Sequence, residues 1–119
     1  MLLAQDDDPV EEDPVLGRTV LAGAEDLQAV LVLRTLPGGA ESGRHTQPGN
    51  EIVYILEGSV ILEIDGSEPV TVAAGETFQT SAGEVHNVKN TSADDAVRAL
   101  AFYIAGKDAE VKDLSVPAE

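Results

Sequence analysis

Residues 51–90 read EIVYILEGSVILEIDGSEPVTVAAGETFQTSAGEVHNVKN, and the punctuation of this stretch decides the fold. Short runs rich in Val, Ile, Leu and Thr, types that suit a pleated surface, are cut every six to ten residues by glycine or proline. Glu57-Gly58-Ser59, Asp65-Gly66, Ala74-Gly75 and Ala82-Gly83 supply the positive φ angles that tight turns demand. Asp65-Gly66, flanked by Val60-Ile61-Leu62-Glu63-Ile64 and Pro69-Val70-Thr71-Val72, is the strongest hairpin signal in the chain. Period-two alternation puts Val53 and Ile55 on the face of Glu51 and Tyr54 on the opposite one. By the same rule one of the sets Val60-Leu62-Ile64 and Ile61-Glu63-Asp65 faces water, and the charged set is the better candidate.

Outward from this stretch the same texture continues. Thr19 to Leu21 and Leu27 to Thr35 are strand candidates before it, with Pro37-Gly38-Gly39 as a turn, and Val97 to Ile104 follows it. Within it the candidates are Glu51 to Leu56, Val60 to Ile64, Pro69 to Val72, Thr77 to Thr80 and Val85 to Lys89. The only helix candidate before the C-terminal end, around Ala22 to Ala29, is interrupted by Gly23. The fold expected is all-β, a small antiparallel jelly-roll barrel over residues 15–106 with an apolar pocket at one mouth. Residues 1–14 carry six acids, two prolines and no base, and read as a disordered acidic tail. Residues 107–119 read as a loosely packed C-terminal tail.

The chain has 119 residues, enough for one domain, with 22 acids against 7 bases and a net charge of -15. That field repels phosphate backbones and anionic lipid surfaces, and four aromatics without tryptophan make a poor base-stacking surface. Neither nucleic acid nor membrane is an expected partner, and no apolar run approaches the ~20 residues of a membrane-spanning helix. Without cysteine there is no disulfide, no thiolate nucleophile and no zinc-thiolate site. Met1-Leu2-Leu3-Ala4-Gln5 looks like the end of a secretory apolar region but lacks its basic start, so both cytoplasmic and periplasmic or secreted locations stay open.

Only two histidines are present, and each follows a glycine-containing loop and sits at or just before the start of a strand candidate. Around the first the text reads Gly39-x5-His45-x-Gln47-x3-Glu51-x6-Gly58; around the second, Gly75-x5-Ser81-x-Gly83-x2-His86-x3-Asn90. In extended chain residues 45, 47 and 51 share one face, and a returning strand pair brings His86 opposite them. Two imidazoles, a carboxylate and an amide oxygen make a borderline-hard set suited to Fe(II), Mn(II), Co(II) or Ni(II), with zinc and copper admissible.

These segments resemble the paired motifs of the cupin superfamily, G-x5-H-x-H-x3,4-E-x6-G and G-x5-P-x-G-x2-H-x3-N. The gap from Ser59 to Ala74, sixteen residues, is similar to the minimal arrangement of that family. The resemblance implies a divalent transition metal held by His45, Gln47, Glu51 and His86, and a homodimer. Gln47 stands where the second histidine normally sits and Ser81 replaces a proline; a weaker donor at 47 implies looser metal retention. Gln47 reads equally as a ligand or as a partner of metal-bound water. Val53, Ile55, Phe78, Phe102 and Ile104 are candidates for lining the pocket, and Arg44 for its rim. Asn90-Thr91-Ser92 matches a glycosylation sequon of little specificity.

Three functions fit. The first is a metal-dependent dioxygenase-type oxidoreductase acting on a small enolisable or diol-containing molecule. The second is a metal-dependent isomerase or lyase, and the third a non-catalytic sensor of a small molecule or metal. An isomerase or lyase needs a separate proton-transferring side chain, and no convincing inward base is visible in the sequence, which favours the oxidoreductase.

Overall fold

Asp65-Gly66 does turn the chain, with Gly66 at φ 87° and Ser67 N–H donating to Ile64 C=O at 2.9 Å. In the computed structural model, which describes residues 14–109 and the strand Val116–Pro117, the arms of this hairpin are β5 (Ser59–Ile64) and β6 (Val70–Ala73). Pro69 lies just before β6, where its missing N–H takes no ladder bond away. The other elements are β1 (Val15–Leu21), β2 (Ala24–Leu36), β3 (His45–Thr46), β4 (Glu51–Glu57), β7 (Thr77–Thr80), β8 (His86–Asn90), β9 (Val97–Gly106) and β10 (Val116–Pro117).

Among the described residues every pairing is antiparallel, in two five-stranded sheets ordered β1-β2-β9-β4-β7 and β10-β3-β8-β5-β6. The chain crosses between sheets at Gly58, which joins β4 to β5 at φ 85°; a Cβ there would stand 2.9 Å from Val97 Cγ2. The sheets share a core of Val30, Val32, Val53, Ile55, Val60, Leu62, Val72 and Phe78 with Ala99, Ala101 and Tyr103.

Two readings need correction. The helix candidate at Ala22 to Ala29 is the start of a hairpin: Gly23 turns at φ 83° and β2 runs from Ala24, paired with β1 and, from Leu27 to Leu36, with β9. Ten cross-strand pairs outweigh a weak local helical preference. Part of the region read as a C-terminal tail pairs instead: Val116 lies opposite Thr46 and Pro117 opposite His45. His45–Thr46, too short to show a period, forms a strand between β10 and β8. The acidic stretch before Pro14 and the secretory-like opening Met1 to Gln5 lie outside the described residues.

Candidate functional site

His45 and His86 are directly opposite each other across β3 and β8, with ring centroids 4.2 Å apart and planes at 55°. Each ring is fixed by the backbone two residues upstream. His45 Nδ1 lies 2.7 Å from Gly43 C=O and His86 Nδ1 3.0 Å from Glu84 C=O. A carbonyl only accepts, so Nδ1 carries the proton and a neutral ring keeps its lone pair on Nε2. Burial pushes the His45 imidazole below its ordinary pKa, against the opposing pull of the Gly43 carbonyl, which favours that neutral form.

Glu51 comes from the other sheet. It heads β4 opposite Thr80 on β7 and Tyr103 on β9, and is 5% exposed. Burial pushes its carboxyl pKa up, and the Arg34 guanidinium pulls it back toward the charged form. Gln47, 2% exposed in the loop between β3 and β4, is held at both ends of its amide. Its Nε2 donates to Tyr103 Oη at 3.2 Å, and Thr80 Oγ1 lies 3.2 Å from its Oε1 and 3.3 Å from Glu51 Oε1. The loop fits only because residue 49 is glycine: a Cβ there would stand 1.7 Å from the Ile104 carbonyl oxygen.

All four side chains line one cavity of about 820 Å³ between the sheets, together with Val53, Ile55, Val60, Phe78, Val88, Val97, Ala99, Arg34 and, at the exposed rim, Glu41. Phe102 and Ile104 do not line it, which corrects the reading that put them at the pocket. They lie on the outer side of the first sheet beside a separate 250 Å³ depression, Phe102 opposite Leu31 and Ile52. The alternation of β9 sends Ala99, Ala101, Tyr103 and Ala105 inward. Apart from Tyr103 the inward residues of that strand are small, and the cavity is the space they leave.

Two residues were missed in the sequence. Arg34 has the inward parity of Val30 and Val32, but Val30-Leu31-Val32-Leu33 is apolar on both faces and hides it. Tyr103 was masked by its neighbours Phe102 and Ile104. Arg34 lies 5.3 Å from the Tyr103 ring centroid and its Nη2 donates to Tyr103 Oη, so the phenol sits behind the cavity wall, braced by both Arg34 and Gln47. Arg44 is at the surface, paired with Asp65 at 2.5 Å.

The motif ends have structural work. Asn87, buried, accepts from Gly43 N–H at 2.9 Å and donates to Glu41 at 2.7 Å and Glu63 at 3.1 Å, pinning the loop that presents His45. Asn90 Nδ2 donates to the carbonyls of Leu36, Pro37 and Asp95, and its Oδ1 accepts from Ser92 N–H. An amide so engaged is a poor glycan acceptor. Ser81 uses the N–H that a proline would lack, donating to Glu84 Oε1 at 3.1 Å.

Donor chemistry fits a divalent ion: two imidazole Nε2 lone pairs and one buried carboxylate, with each Nδ1–H tied to a carbonyl as metal-binding histidines require. Among the described residues no three His, Asp or Glu side chains stand already clustered for coordination. The imidazoles pack on each other and Glu51 turns an oxygen to Thr80, so closing around an ion requires side-chain rotation.

A two-sheet antiparallel barrel with paired histidines inside one mouth defines a class, and the sequence comparison specifies it. Residues 32–103 match the cupin domain family, and the chain belongs to it. Cupin domains commonly bind divalent metals. The chain is 38% identical over 61 residues to the β-alanine degradation protein BauB of Pseudomonas aeruginosa, a match covering 50% of this chain and 64% of that one. It superposes on a double-stranded β-helix domain protein from Klebsiella pneumoniae with a TM-score of 0.64 at 18% identity, covering 99% and 90% of the two chains. The DMSP lyase DddQ of Ruegeria pomeroyi gives a TM-score of 0.60 at 22% identity over 78% of this chain and 43% of that one. This chain thus spans less than two thirds of BauB and less than half of the lyase. The two structural likenesses speak to the fold alone. Among the described residues no helix is long and apolar enough to cross a membrane.

Proposed function

We propose that the protein is a divalent-metal-dependent enzyme of the dioxygenase type, acting on a small enolisable or diol-containing molecule. The observation that carries this is the pair of histidines whose Nδ1 atoms are tied to Gly43 and Glu84 carbonyls, facing a cavity shared with Glu51. His45, Glu51 and His86 would hold the ion, which supplies a Lewis-acid centre at which a chelating substrate and dioxygen can meet. Gln47 is engaged by Tyr103 and Thr80, so the ligand set reads as two histidines and one carboxylate, leaving positions for both reactants. Val53, Ile55, Val60 and Phe78 give the cavity an apolar wall that excludes water around the substrate.

A lyase or isomerase is the second reading, and one observation favours it: Glu41 at the cavity rim is a carboxylate able to move a proton. Tyr103 lies behind the wall and is not placed for that task. The names of BauB and the DMSP lyase, both concerned with breaking down small molecules, suit either reading.

The test is dioxygen uptake by protein reconstituted anaerobically with Fe(II), Mn(II), Co(II), Ni(II) or Zn(II), against panels of diols and enolisable acids, with His86→Ala as control. Uptake that disappears in the variant is the expected result. Turnover without uptake would move the assignment to the lyase, and saturable binding without product would make the protein a sensor.

A further inference from the structure

The central strands of the first sheet are apolar on both faces. Val30-Leu31-Val32-Leu33 in β2, Ile52-Val53-Tyr54-Ile55-Leu56 in β4 and Leu100-Ala101-Phe102-Tyr103-Ile104 in β9 are unbroken runs, the pattern of a sheet covered on both sides. The second sheet covers the inner face. Among the described residues nothing covers the outer one, where Ile52, Tyr54 and Phe102 remain 39–46% exposed.

The strand register makes these residues one patch. Across β2, β9, β4 and β7 one outward row is Leu31, Phe102, Ile52 and Gln79, and the next is Leu33, Leu100, Tyr54 and Thr77. Neither row holds a charge, in a chain of which 24% is charged. Charge begins at the margin, with Arg98 3.8 Å from Glu57. The outer face of the second sheet is built the other way: Glu63 and Lys89 pair there at 3.2 Å, with Thr71 exposed on β6.

A face without charge selects its partner. A charged surface would lose its hydration against it and find nothing to pair with, so the matching surface must be uncharged and of the same extent. The same patch on a second copy, related by a two-fold axis, meets that condition. Area agrees. Side chains of this size present about 200 Å² when fully exposed, so the exposed fractions leave roughly 500 Å² of apolar surface per copy. Two copies would bury about 1,000 Å² of it, and the margin of Thr77, Gln79 and Arg98 brings the total into the range of about 1,200–2,000 Å² of stable pairs. Tyr54 and Phe102 are of the aromatic types enriched in interfaces, and the 250 Å³ depression beside Ile52, Gln79 and Phe102 gives the face a socket.

We infer that the outer face of the first sheet, centred on Ile52, Tyr54 and Phe102, is an isologous docking surface for a second copy of this chain. The homodimer expected from the sequence would use this face, and it does not depend on the metal site. Each copy has a net charge of -15, so the margins repel while the centres attract, and salt should tighten the pair by screening the margins.

The test is sedimentation velocity between about 1 and 100 µM on wild type, Phe102→Glu, Tyr54→Arg and the second-sheet control Thr71→Glu, each checked for fold by circular dichroism. Wild type should be a dimer whose dissociation constant falls between about 20 and 500 mM salt. Phe102→Glu and Tyr54→Arg should each raise that constant at least about 30-fold. They introduce opposite charges, so a shared loss is not an effect of net charge, and Tyr54→Arg reads the face where Phe102→Glu does not fold. Thr71→Glu should leave the dimer unchanged. Monomeric wild type throughout the range overturns the inference, and so does weakening with salt, which would mark an ionic contact. A dimer unmoved in a folded face variant overturns it too, since the exposed edge strand β1 would then carry the pairing. Equal loss in Thr71→Glu does the same, because added charge anywhere would then be the cause.

Discussion

Tyr103→Phe isolates the network behind the cavity wall. Tyr103 is 1% exposed and Phe preserves its ring, so packing is conserved and only an oxygen is lost. That oxygen accepts from Gln47 Nε2 at 3.2 Å and from Arg34 Nη2. A buried donor left without its acceptor costs about 1–3 kcal/mol. The long neutral bond from Gln47 belongs at the low end, about 1 kcal/mol, and the half-buried guanidinium, which water can reach, adds about as much again. The sum is about 2 kcal/mol, a fall in Tm of roughly 8 °C for a domain of this length. Urea unfolding followed by circular dichroism at fixed protein concentration measures it, with an unchanged m-value showing that the same surface is exposed. A loss below about 0.5 kcal/mol would refute the reasoning, because the hydroxyl would then be holding neither partner.

Glu51→Gln trades function for stability. Because burial raises the folded-state pKa of Glu51 above the ordinary 4.5, its contribution is fully present below that value and is lost as pH rises through the folded pKa. Chelator-treated Glu51→Gln should therefore be more stable than wild type at pH 8 by chemical denaturation, with the gap closing toward pH 4.5, while retaining no metal. His45 has the opposite sense: with its pKa lowered, folding stability declines as pH falls below 6.5, and His45→Gln should flatten that limb of a pH–stability profile. Gln47→Leu should weaken metal retention about tenfold in chelator competition, the range for a residue that orients ligands, whereas His86→Ala should abolish it; equal losses would make Gln47 a ligand. Gly49→Ala drives a Cβ into the Ile104 carbonyl and should cost about 3 kcal/mol or more, seen as a lowered urea midpoint or insoluble protein.

Much of the site was legible because its residues lie in runs whose parity is unambiguous. Glu51, Val53 and Ile55 alternate with Ile52 and Tyr54, so facing one way is a local property of β4, and the structure buries the first set and exposes the second. The turns were equally local, since Gly58, Gly66, Gly75 and Gly83 all adopt the positive φ expected of them. Illegible residues were those whose neighbours gave no contrast. Arg34 follows four consecutive apolar residues, and Tyr103 sits between Phe102 and Ile104, where size suggested the wrong face.

The all-β class, the strand pairs around tight turns and the cupin motifs follow from the sequence alone, because alternation and glycine placement act over a few residues. What only the tertiary structure decided is the meeting of distant segments: His45 against His86, Glu51 between Thr80 and Tyr103, and Arg34 over the Tyr103 ring. Cavity shape and charge depend on which side chains are missing from a facing strand as much as on which are present, and that sum is taken in space rather than along the chain.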